Sequence, residues 1–306
     1  MMITAHPVIK GLALLVVLRC ASASGQAARS PVAIVGALAG TSSVTVPGEQ
    51  RTTPLRLFAW LSAGSVIEVS RGSKLTLVFS SGARYELGET AKATAGTISL
   101  ASSSGPIREL PAVPPLPRIS PIAEGSRAGP RSGAVRIRGA TIPHLYPDSG
   151  SATLADSTVL RFTPVADASR YRVEVETETG TSVFQVETQS PTVNVSPGIL
   201  KPGAKYYWQV RTLDRSGQVA RGAAEFVTIS ADAAAARAVL EESLAAGGDA
   251  SSLALLAEID RSLGLLAEAR EKFRAAVAKA PGDVALRQAL DRLEEQLAAE
   301  REKSEK

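Results

Sequence analysis

The sequence predicts a multidomain protein that is mainly β, with an α-helical C-terminal region. Residues 57–94 contain three short apolar runs closed by glycine-bearing turns, and residues 141–230 contain seven short runs of strand type. From Ala231 onward the spacing of apolar residues changes to that of helices. The 306 residues leave room for roughly two or three domains, and a hydrophobic fraction of 44% is enough to form their cores.

Residues 1–27 have the features of an export signal. Lys10 precedes an apolar run over residues 11–18, and small residues suitable for cleavage follow at 21–23 and 25–27. The run is too short to cross a bilayer as a helix. A lipoprotein signal acylated at Cys20 is the alternative, but Arg19 stands where that pathway requires a small residue. We therefore expect an exported protein of the periplasm or cell envelope, without a transmembrane segment once the signal is removed.

The composition argues against several classes of function. Without the signal the chain has no cysteine, its only histidine is His144, and its formal net charge falls from +4 to +2. Hydrolase triads and metal sites usually recruit His or Cys, and nucleic-acid binding requires a stronger basic footprint. His144, beside Leu145 and Tyr146, is interpreted as a turn residue. We expect no enzyme, no catalytic, cofactor-binding or metal-binding residue, no cofactor and no nucleic-acid partner, and no residue marks a binding surface.

Residues 32–102 are strand-like throughout. Glycine-bearing turns near Gly72 and Gly82 separate β-rich runs, and in the run 75–79 the residues Leu75, Leu77 and Phe79 share one face. This face is the predicted core face, and Thr76 and Val78 lie on the opposite one. The pattern predicts an antiparallel meander or a small roll.

Several residues of this region resemble the FecR-type periplasmic domain. The resemblance rests on the segment 63–67, the turn at Gly72, the apolar run 75–79, Gly82 and the pair 87–88. It implies a β fold that binds a protein or another envelope component. The signalling role of the family also requires a cytoplasmic N-terminal domain and a membrane span, which the expected organisation of this chain lacks.

Residues 103–140 are predicted to be a basic, proline-rich linker. Seven prolines and several arginines recur in this stretch, and proline favours extended backbone, so we expect a semi-rigid spacer. The run 113–118 has the form of a polyproline ligand, but an exported protein has few readers of such motifs. The spacer is the favoured interpretation.

Residues 141–230 are predicted to form a two-sheet sandwich. In the run 171–176, Tyr171, Val173 and Val175 face one side and the charged residues face water. The Leu200-x-Pro202-x-x-x-Tyr206 element resembles the tyrosine corner of fibronectin type III domains, which implies that the Tyr206 hydroxyl bonds a nearby backbone group. Phe162 stands where many such domains carry tryptophan. We expect the Trp208 side chain to lie in the core of the sandwich; the alternative is that its ring stacks on a bound sugar.

Residues 231–306 are predicted to form four helices. The first carries Val239, Leu240 and Leu244 on its apolar stripe and ends at Gly247-Gly248, and Asp249 or Ser251 caps the second. A break at 263–264 precedes the third helix, which ends before Pro281. Asp283 caps the fourth, whose apolar face carries Leu286, Leu290, Leu293 and Leu297.

The second and third helices resemble one tetratricopeptide repeat. The residues that carry the resemblance are Leu253, Leu256, Ala257, Gly264, Ala269, Phe273, Ala276 and Pro281, and Asp260 departs from it because the family often has an aromatic residue there. The resemblance implies a helical groove that binds a protein partner. A bundle that only dimerises, or only caps the sandwich, is an equal alternative.

Together these features predict an exported, non-enzymatic binding or scaffolding protein of the periplasm or cell envelope. Its expected partners are proteins, through the helical groove of residues 231–306, or peptidoglycan or another envelope polymer. The alternative is a sensory or regulatory partner of a membrane signalling system, acting through the FecR-like domain.

Overall fold

The computed structural model describes residues 30–118, 141–166, 168–213, 220–245 and 248–305, with side chains described up to residue 299. The predicted export signal and residues 119–140 of the predicted linker lie outside these ranges. The described residues form antiparallel sheets followed by four helices, which confirms the prediction of a mainly β chain with an α-helical C-terminal region.

The first β domain consists of two five-stranded sheets that pack face to face. One sheet has the order β10-β7-β6-β1-β4 and the other has the order β3-β2-β5-β8-β9. The strands are β1 (Pro31–Ala39), β2 (Ser42–Thr45), β3 (Thr52–Pro54), β4 (Trp60–Ser62), β5 (Val66–Val69), β6 (Lys74–Phe79), β7 (Arg84–Leu87), β8 (Lys92–Ala95), β9 (Leu100–Ser104) and β10 (Ile107–Leu110).

This arrangement differs from a simple meander, because the chain passes repeatedly from one sheet to the other. Distributing the strands over two sheets lets their apolar faces bury each other. The domain also extends beyond residue 102. Residues 107–110, placed in the linker by the sequence, form β10 and pair with β7 through backbone hydrogen bonds. The proline content of residues 103–140 favours a linker. The sequence IREL of β10 does not alternate regularly between apolar and polar residues, so no strand pattern marks this edge strand.

Both faces of β6 carry buried residues. Leu75, Leu77 and Phe79 lie in the core between the sheets, as predicted. Val78, on the opposite face, is also buried, because it packs with Ile34 of β1 against the C-terminal helices. The outer face of this sheet is therefore an interface with another part of the chain.

Seven strands follow in residues 151–228 and form a sandwich. They are β11 (Ser151–Thr153), β12 (Val159–Arg161), β13 (Tyr171–Thr177), β14 (Ser182–Thr188), β15 (Thr192–Asn194), β16 (Lys205–Thr212) and β17 (Arg221–Thr228). One sheet has the order β11-β17-β16-β13-β14, with β11 parallel to β17, and the other pairs β12 with β15. Tyr171, Val173 and Val175 are buried between the sheets, as their alternation predicts.

Two aromatic residues of β16 occupy the places expected for them. The Tyr206 hydroxyl accepts a hydrogen bond of 2.7 Å from the backbone N–H of Lys201, which fixes the turn before β16. The Trp208 side chain is buried, and its Nε1 donates a hydrogen bond of 2.8 Å to the carbonyl oxygen of Pro147. Trp208 is thus a core residue and is not available for stacking on a ligand.

The C-terminal helices are α1 (Ala231–Ala245), α2 (Ala250–Ser262), α3 (Leu266–Lys279) and α4 (Val284–Glu305). Asp249 caps α2, because its carboxylate accepts a hydrogen bond of 2.6 Å from the N–H of Ser252. Asp283 caps α4 through bonds of 2.9 and 3.1 Å from the N–H groups of Ala285 and Leu286. The predicted caps at Asp249 and Asp283 and the break at 263–264 therefore agree with the structure, whereas Gly247 of the predicted end of the first helix lies outside the described residues.

The predicted apolar stripe of α1 is wrong at one position. Val239 is 54% exposed, and the buried side of α1 instead carries Ala233, Arg237, Leu240 and Leu244. A salt bridge between Arg237 and Asp260 of α2 turns this side toward the bundle and leaves Val239 in solvent. Because Arg237 is charged, the pattern of apolar residues in the sequence does not place it on the buried face of α1.

The apolar core of the helices extends to residues of both β domains, and each β domain also has a core of its own. The apolar cluster of the helices includes Ile34, Phe58 and Val78 of the first domain, and Ala152 and Ile229 of the sandwich. It also includes Val113 and Leu116, so the beginning of the predicted linker packs against the folded domains. The bundle thus lies in contact with both β domains.

Candidate binding sites around the helical bundle

The first β domain inserts an aromatic side chain into the helical bundle. Phe58 lies in the loop before β4, is only 6% exposed, and its ring centroid is 5.7 Å from that of Phe273 in α3. Its φ of 64° lies in the left-handed region, which is uncommon for a bulky residue. The backbone of Phe58 donates a hydrogen bond of 2.9 Å to the carbonyl oxygen of Val35, which helps to hold this conformation.

A second contact, from the first residue of β4, leads to a chain of polar side chains. Trp60 Nε1 donates to Ser262 Oγ at 3.3 Å, and Ser262 Oγ donates to Glu258 Oε1 at 3.3 Å. Glu258 also accepts bonds of 2.8 and 2.6 Å from the guanidinium of Arg261. These bonds hold the Arg261 guanidinium in place at the end of α2.

Beside Phe58 lies a groove of about 300 Å³ between this loop, α2 and α4. Its floor is apolar and includes Ala289 and Leu293 of α4, and its polar rim includes Arg56, Arg261 and Arg292. Arg56 and Arg292 are exposed, and neither forms an ion pair with another described residue. This groove lies only partly within residues 231–306, where the sequence predicts a binding groove, because one wall of it comes from the first β domain.

A buried ion-pair network joins α1, α2 and α3. Asp260, which is fully buried, accepts bonds of 2.6 and 3.1 Å from Arg237 and one of 3.0 Å from Lys272. Arg237 and Lys272 also lie 2.9 and 3.1 Å from Glu241. Burial raises the pKa of Glu241, but these two cations outweigh it and hold that pKa below its ordinary value. The polar residue at position 260 thus has a structural partner on each neighbouring helix.

A larger cleft of about 700 Å³ lies between α3 and the sandwich. Tyr146, Ser157 and Arg161 line it from the sandwich, and Glu268 and Arg270 line it from α3. The Arg161 guanidinium is 5.8 Å from the centroid of the Tyr146 ring, within cation–π distance. Burial, followed by the negative charge of Glu268, raises the pKa of Tyr146, so this hydroxyl stays protonated.

The histidine and cysteine that the sequence offers as candidate reactive residues do not lie together in a site. His144 is exposed in an irregular segment before β11, has a φ of 53°, and lines neither the groove nor the cleft. Cys20 lies outside the described residues. Within the described ranges, no group of three or more His, Cys, Asp or Glu side chains is placed to hold a metal ion. The groove and the cleft offer charges, hydrogen bonds and apolar surface, which suit noncovalent binding.

Sequence reasoning did not identify the residues that line these two sites. Phe58 and Trp60 are part of an apolar run that was assigned to the first domain itself, and Glu268 and Arg270 belong to the charged face of α3. The departure of Asp260 from the repeat pattern was a signal only for the neighbouring ion-pair network, and neither Asp260 nor Arg237 lines either site. A buried carboxylate requires a cationic partner, so this departure could have led to Arg237.

Comparisons with known proteins give structural likenesses of low score. No protein-family model matches the sequence, and no curated protein matches it. CopC from Methylosinus trichosporium OB3b is 18% identical over 30% of this chain and 94% of CopC, with a TM-score of 0.25. FN3tt is 17% identical over 28% of this chain and 97% of its own, with a TM-score of 0.21.

The FN1–FN3 domains of chicken CNTN1 are 8% identical over 66% of this chain and 64% of that chain, with a TM-score of 0.23. The structural neighbours thus include fibronectin type III domains. At these TM-scores the likenesses carry no functional argument. None of the helices within the described residues is both long and apolar enough to cross a membrane.

Proposed function

We propose that this chain is an exported, non-enzymatic binding or scaffolding protein of the periplasm or cell envelope. In this proposal the first domain is FecR-like, the helices α2 and α3 form a tetratricopeptide-like unit, and a protein partner binds in the groove beside Phe58. The observation that carries the proposal is the groove itself, with an apolar floor and two exposed arginines that have no ion pair among the described residues.

The chemistry of the groove favours a particular kind of protein segment. Leu293 and Ala289 offer an apolar contact, and Arg56 and Arg292 stand on opposite sides of it, one on the β domain and one on α4. Such a surface complements a segment with an apolar anchor and adjacent acidic residues. Because Arg56 and Arg292 are exposed, reversing their charge alters the groove without disturbing a buried contact.

The proposal is tested by cross-linking in the native envelope, with identification of the captured proteins by mass spectrometry. The full chain is compared with Arg292→Glu, and with Arg287→Glu as a matched control. Arg287 is an exposed arginine of the same helix that does not line the groove. We expect Arg292→Glu to lose partners that Arg287→Glu retains. Retention of every partner by Arg292→Glu would contradict binding in the groove.

A sensory or regulatory role is the second candidate, and the docked first domain favours it. Phe58 has an uncommon left-handed backbone conformation at the contact between the first β domain and the helices. Residues with such strained backbones are often found in segments that change conformation. In this case the cross-linked partners would be inner-membrane signalling proteins, and they would attach to the first domain. Capture of partners only through the groove residues would count against this role.

A further inference from the structure

The outer face of the five-stranded sandwich sheet carries three arginines side by side. Arg172 of β13 lies opposite Arg211 of β16, and Arg211 lies opposite Arg221 of β17. Neighbours of these residues in sequence, such as Val173 and Val210, are buried in the sandwich, so the arginines lie on the solvent side. Directly opposite residues of an antiparallel pair have Cβ atoms about 5 Å apart. The strand register therefore aligns three positive charges, which we call the arginine row.

Among the described residues, a single carboxylate balances this row. Glu187 of β14 lies opposite Arg172 and forms a salt bridge with it. The hydrogen bond from Arg172 lowers the pKa of Glu187, and the charges of Arg172, Arg170 and Arg211 lower it further, although desolvation opposes them. Neither Arg211 nor Arg221 forms an ion pair with a described residue. Three guanidinium groups against one carboxylate leave an excess of two positive charges in the row.

This excess charge destabilises the sheet unless an anion is bound. Like charges at directly opposite positions of neighbouring strands repel each other, and Arg211 and Arg221 occupy such positions. The loop between β16 and β17 does not change the sum, because its two charged residues are Asp214 and Arg215. The forked guanidinium group of arginine binds phosphate or carboxylate oxygens through two parallel hydrogen bonds. An anion bound across the row would therefore relieve the repulsion.

The surroundings of the row favour a single compact anion. The next row along the strands, about 7 Å away, contains Gln209 and Glu174, whose side chains are hydrogen-bonded at 3.3 Å. The Glu174 carboxylate would repel an extended anionic surface such as a membrane. A carboxylate would supply only one negative charge, whereas a phosphomonoester carries nearly two near pH 7, on three acceptor oxygens. The excess of two positive charges therefore matches a phosphate group.

We propose that Arg211 and Arg221 bind the phosphate group of inorganic phosphate or of a small phosphomonoester. Both arginines are accessible, because Arg221 is exposed and Arg211 is half-buried. Arg172 adds a third positive charge beside them while it remains bonded to Glu187. The arginine row shares no residue with the groove beside Phe58, so its test is independent of the proposed function.

The test is an NMR titration of the full chain, in which the backbone amide signals of β16 and β17 report binding. The probes are inorganic phosphate, glycerol phosphate, dimethyl phosphate and acetate, at constant ionic strength and slightly alkaline pH. We expect the first two, which are dianions, to bind with a Kd of about 1 mM or tighter, and the two monoanions to bind about fivefold more weakly or worse. Tighter binding of glycerol phosphate than of inorganic phosphate assigns the site to phosphate esters, and the reverse assigns it to free phosphate. Absence of saturable binding by both dianions, or equal binding of acetate, would overturn the proposal.

Vesicles distinguish a small ligand from a lipid headgroup. The full chain is sedimented with phosphatidylcholine vesicles that contain phosphatidic acid, whose headgroup is a phosphomonoester. We expect no co-sedimentation, because Glu174 lies on the same face of the sheet as the row and would meet the anionic surface. Co-sedimentation would overturn the assignment to a small soluble ligand.

Variants assign binding to the row. Arg211→Gln and Arg221→Gln should each weaken phosphate binding about tenfold without lowering the unfolding temperature, because each removes an unpaired charge. Glu187→Gln should tighten binding about threefold, since it removes the competing carboxylate. Arg71→Gln is the matched control, because Arg71 is an exposed arginine in the turn between β5 and β6, and it should bind like the wild type. Unchanged binding by Arg211→Gln and Arg221→Gln, or weaker binding by Glu187→Gln, would contradict this site.

Discussion

At the scale of single residues, several polar groups of the core are held by partners that lie close in space but not in sequence. Asp260 of α2 is neutralised by Arg237 of α1 and Lys272 of α3, and Thr228 Oγ1 of β17 donates a hydrogen bond of 2.6 Å to the carbonyl oxygen of Lys201. Removing one partner of such an interaction destabilises the protein by more than the interaction's net contribution to stability, because the other partner stays buried and unpaired.

Tyr206→Phe tests this principle in the sandwich. The Tyr206 side chain is only 2% exposed, and its hydroxyl accepts the bond from the Lys201 N–H. Phenylalanine keeps the packing against Phe226 but loses the acceptor, so we expect the free energy of unfolding to fall by about 1 kcal/mol. Urea unfolding followed by tryptophan fluorescence measures the change.

Tyr207→Phe is the control for this prediction. The Tyr207 ring is less buried and lies on the opposite face of β16, so this substitution should alter stability less. Equal stability of wild type and Tyr206→Phe would show that the bond is not needed.

At the scale of elements, the sequence predicted well where local chemistry determines the structure. The helix boundaries follow from Asp249, Gly264, Pro281 and Asp283, because caps and breakers act on the backbone within a few residues. The strand β10 was missed because edge pairing depends on backbone hydrogen bonds to β7, which leave no apolar pattern. The outward rotation of Val239 could not be predicted either, since it depends on a salt bridge to another helix.

The sequence predicted the candidate sites less well than the elements, because both sites form between domains. The groove was expected within residues 231–306, but its wall at Phe58 comes from a loop more than 170 positions earlier in the chain. The cleft combines residues of β12 and α3, which the sequence assigned to separate domains. Surfaces formed between domains depend on how the domains pack, and no local pattern in this sequence records that packing.

Phe273→Ala tests the packing of the helical bundle. Phe273 of α3 is fully buried and packs against the Phe58 ring, so removing its ring should cost roughly 3–5 kcal/mol. Thermal and urea unfolding of the full chain measure the loss. Val239→Ala in α1 is the control, because Val239 is exposed and its truncation should change stability by less than about 0.5 kcal/mol. A Phe273→Ala protein as stable as the control would reject this ring as part of the core.

At the scale of the whole molecule, one apolar core connects parts that the sequence presents as separate modules. Phe58 belongs to the core of the helical bundle and not to the core between the two sheets of its own domain. We therefore expect the first domain to fold without Phe58 and its attachment to the helices to depend on this side chain. Residues 103–118, the described part of the predicted spacer, do not separate independent modules, since Val113 and Leu116 also belong to the bundle core.

Phe58→Asp separates folding from docking. The substitution removes the ring that packs against Phe273 and places a carboxylate at this apolar contact, and both changes oppose docking. We expect the first domain to fold but to detach from the helices, which would increase the radius of gyration in small-angle scattering. Thermal unfolding should then change from one transition to two. Thr90→Asp is the control, because Thr90 has a similar φ of 59° but is exposed and remote from the helices. An unchanged radius of gyration and a single transition in Phe58→Asp would show that Ile34, Val78 and Trp60 suffice to hold the domains together.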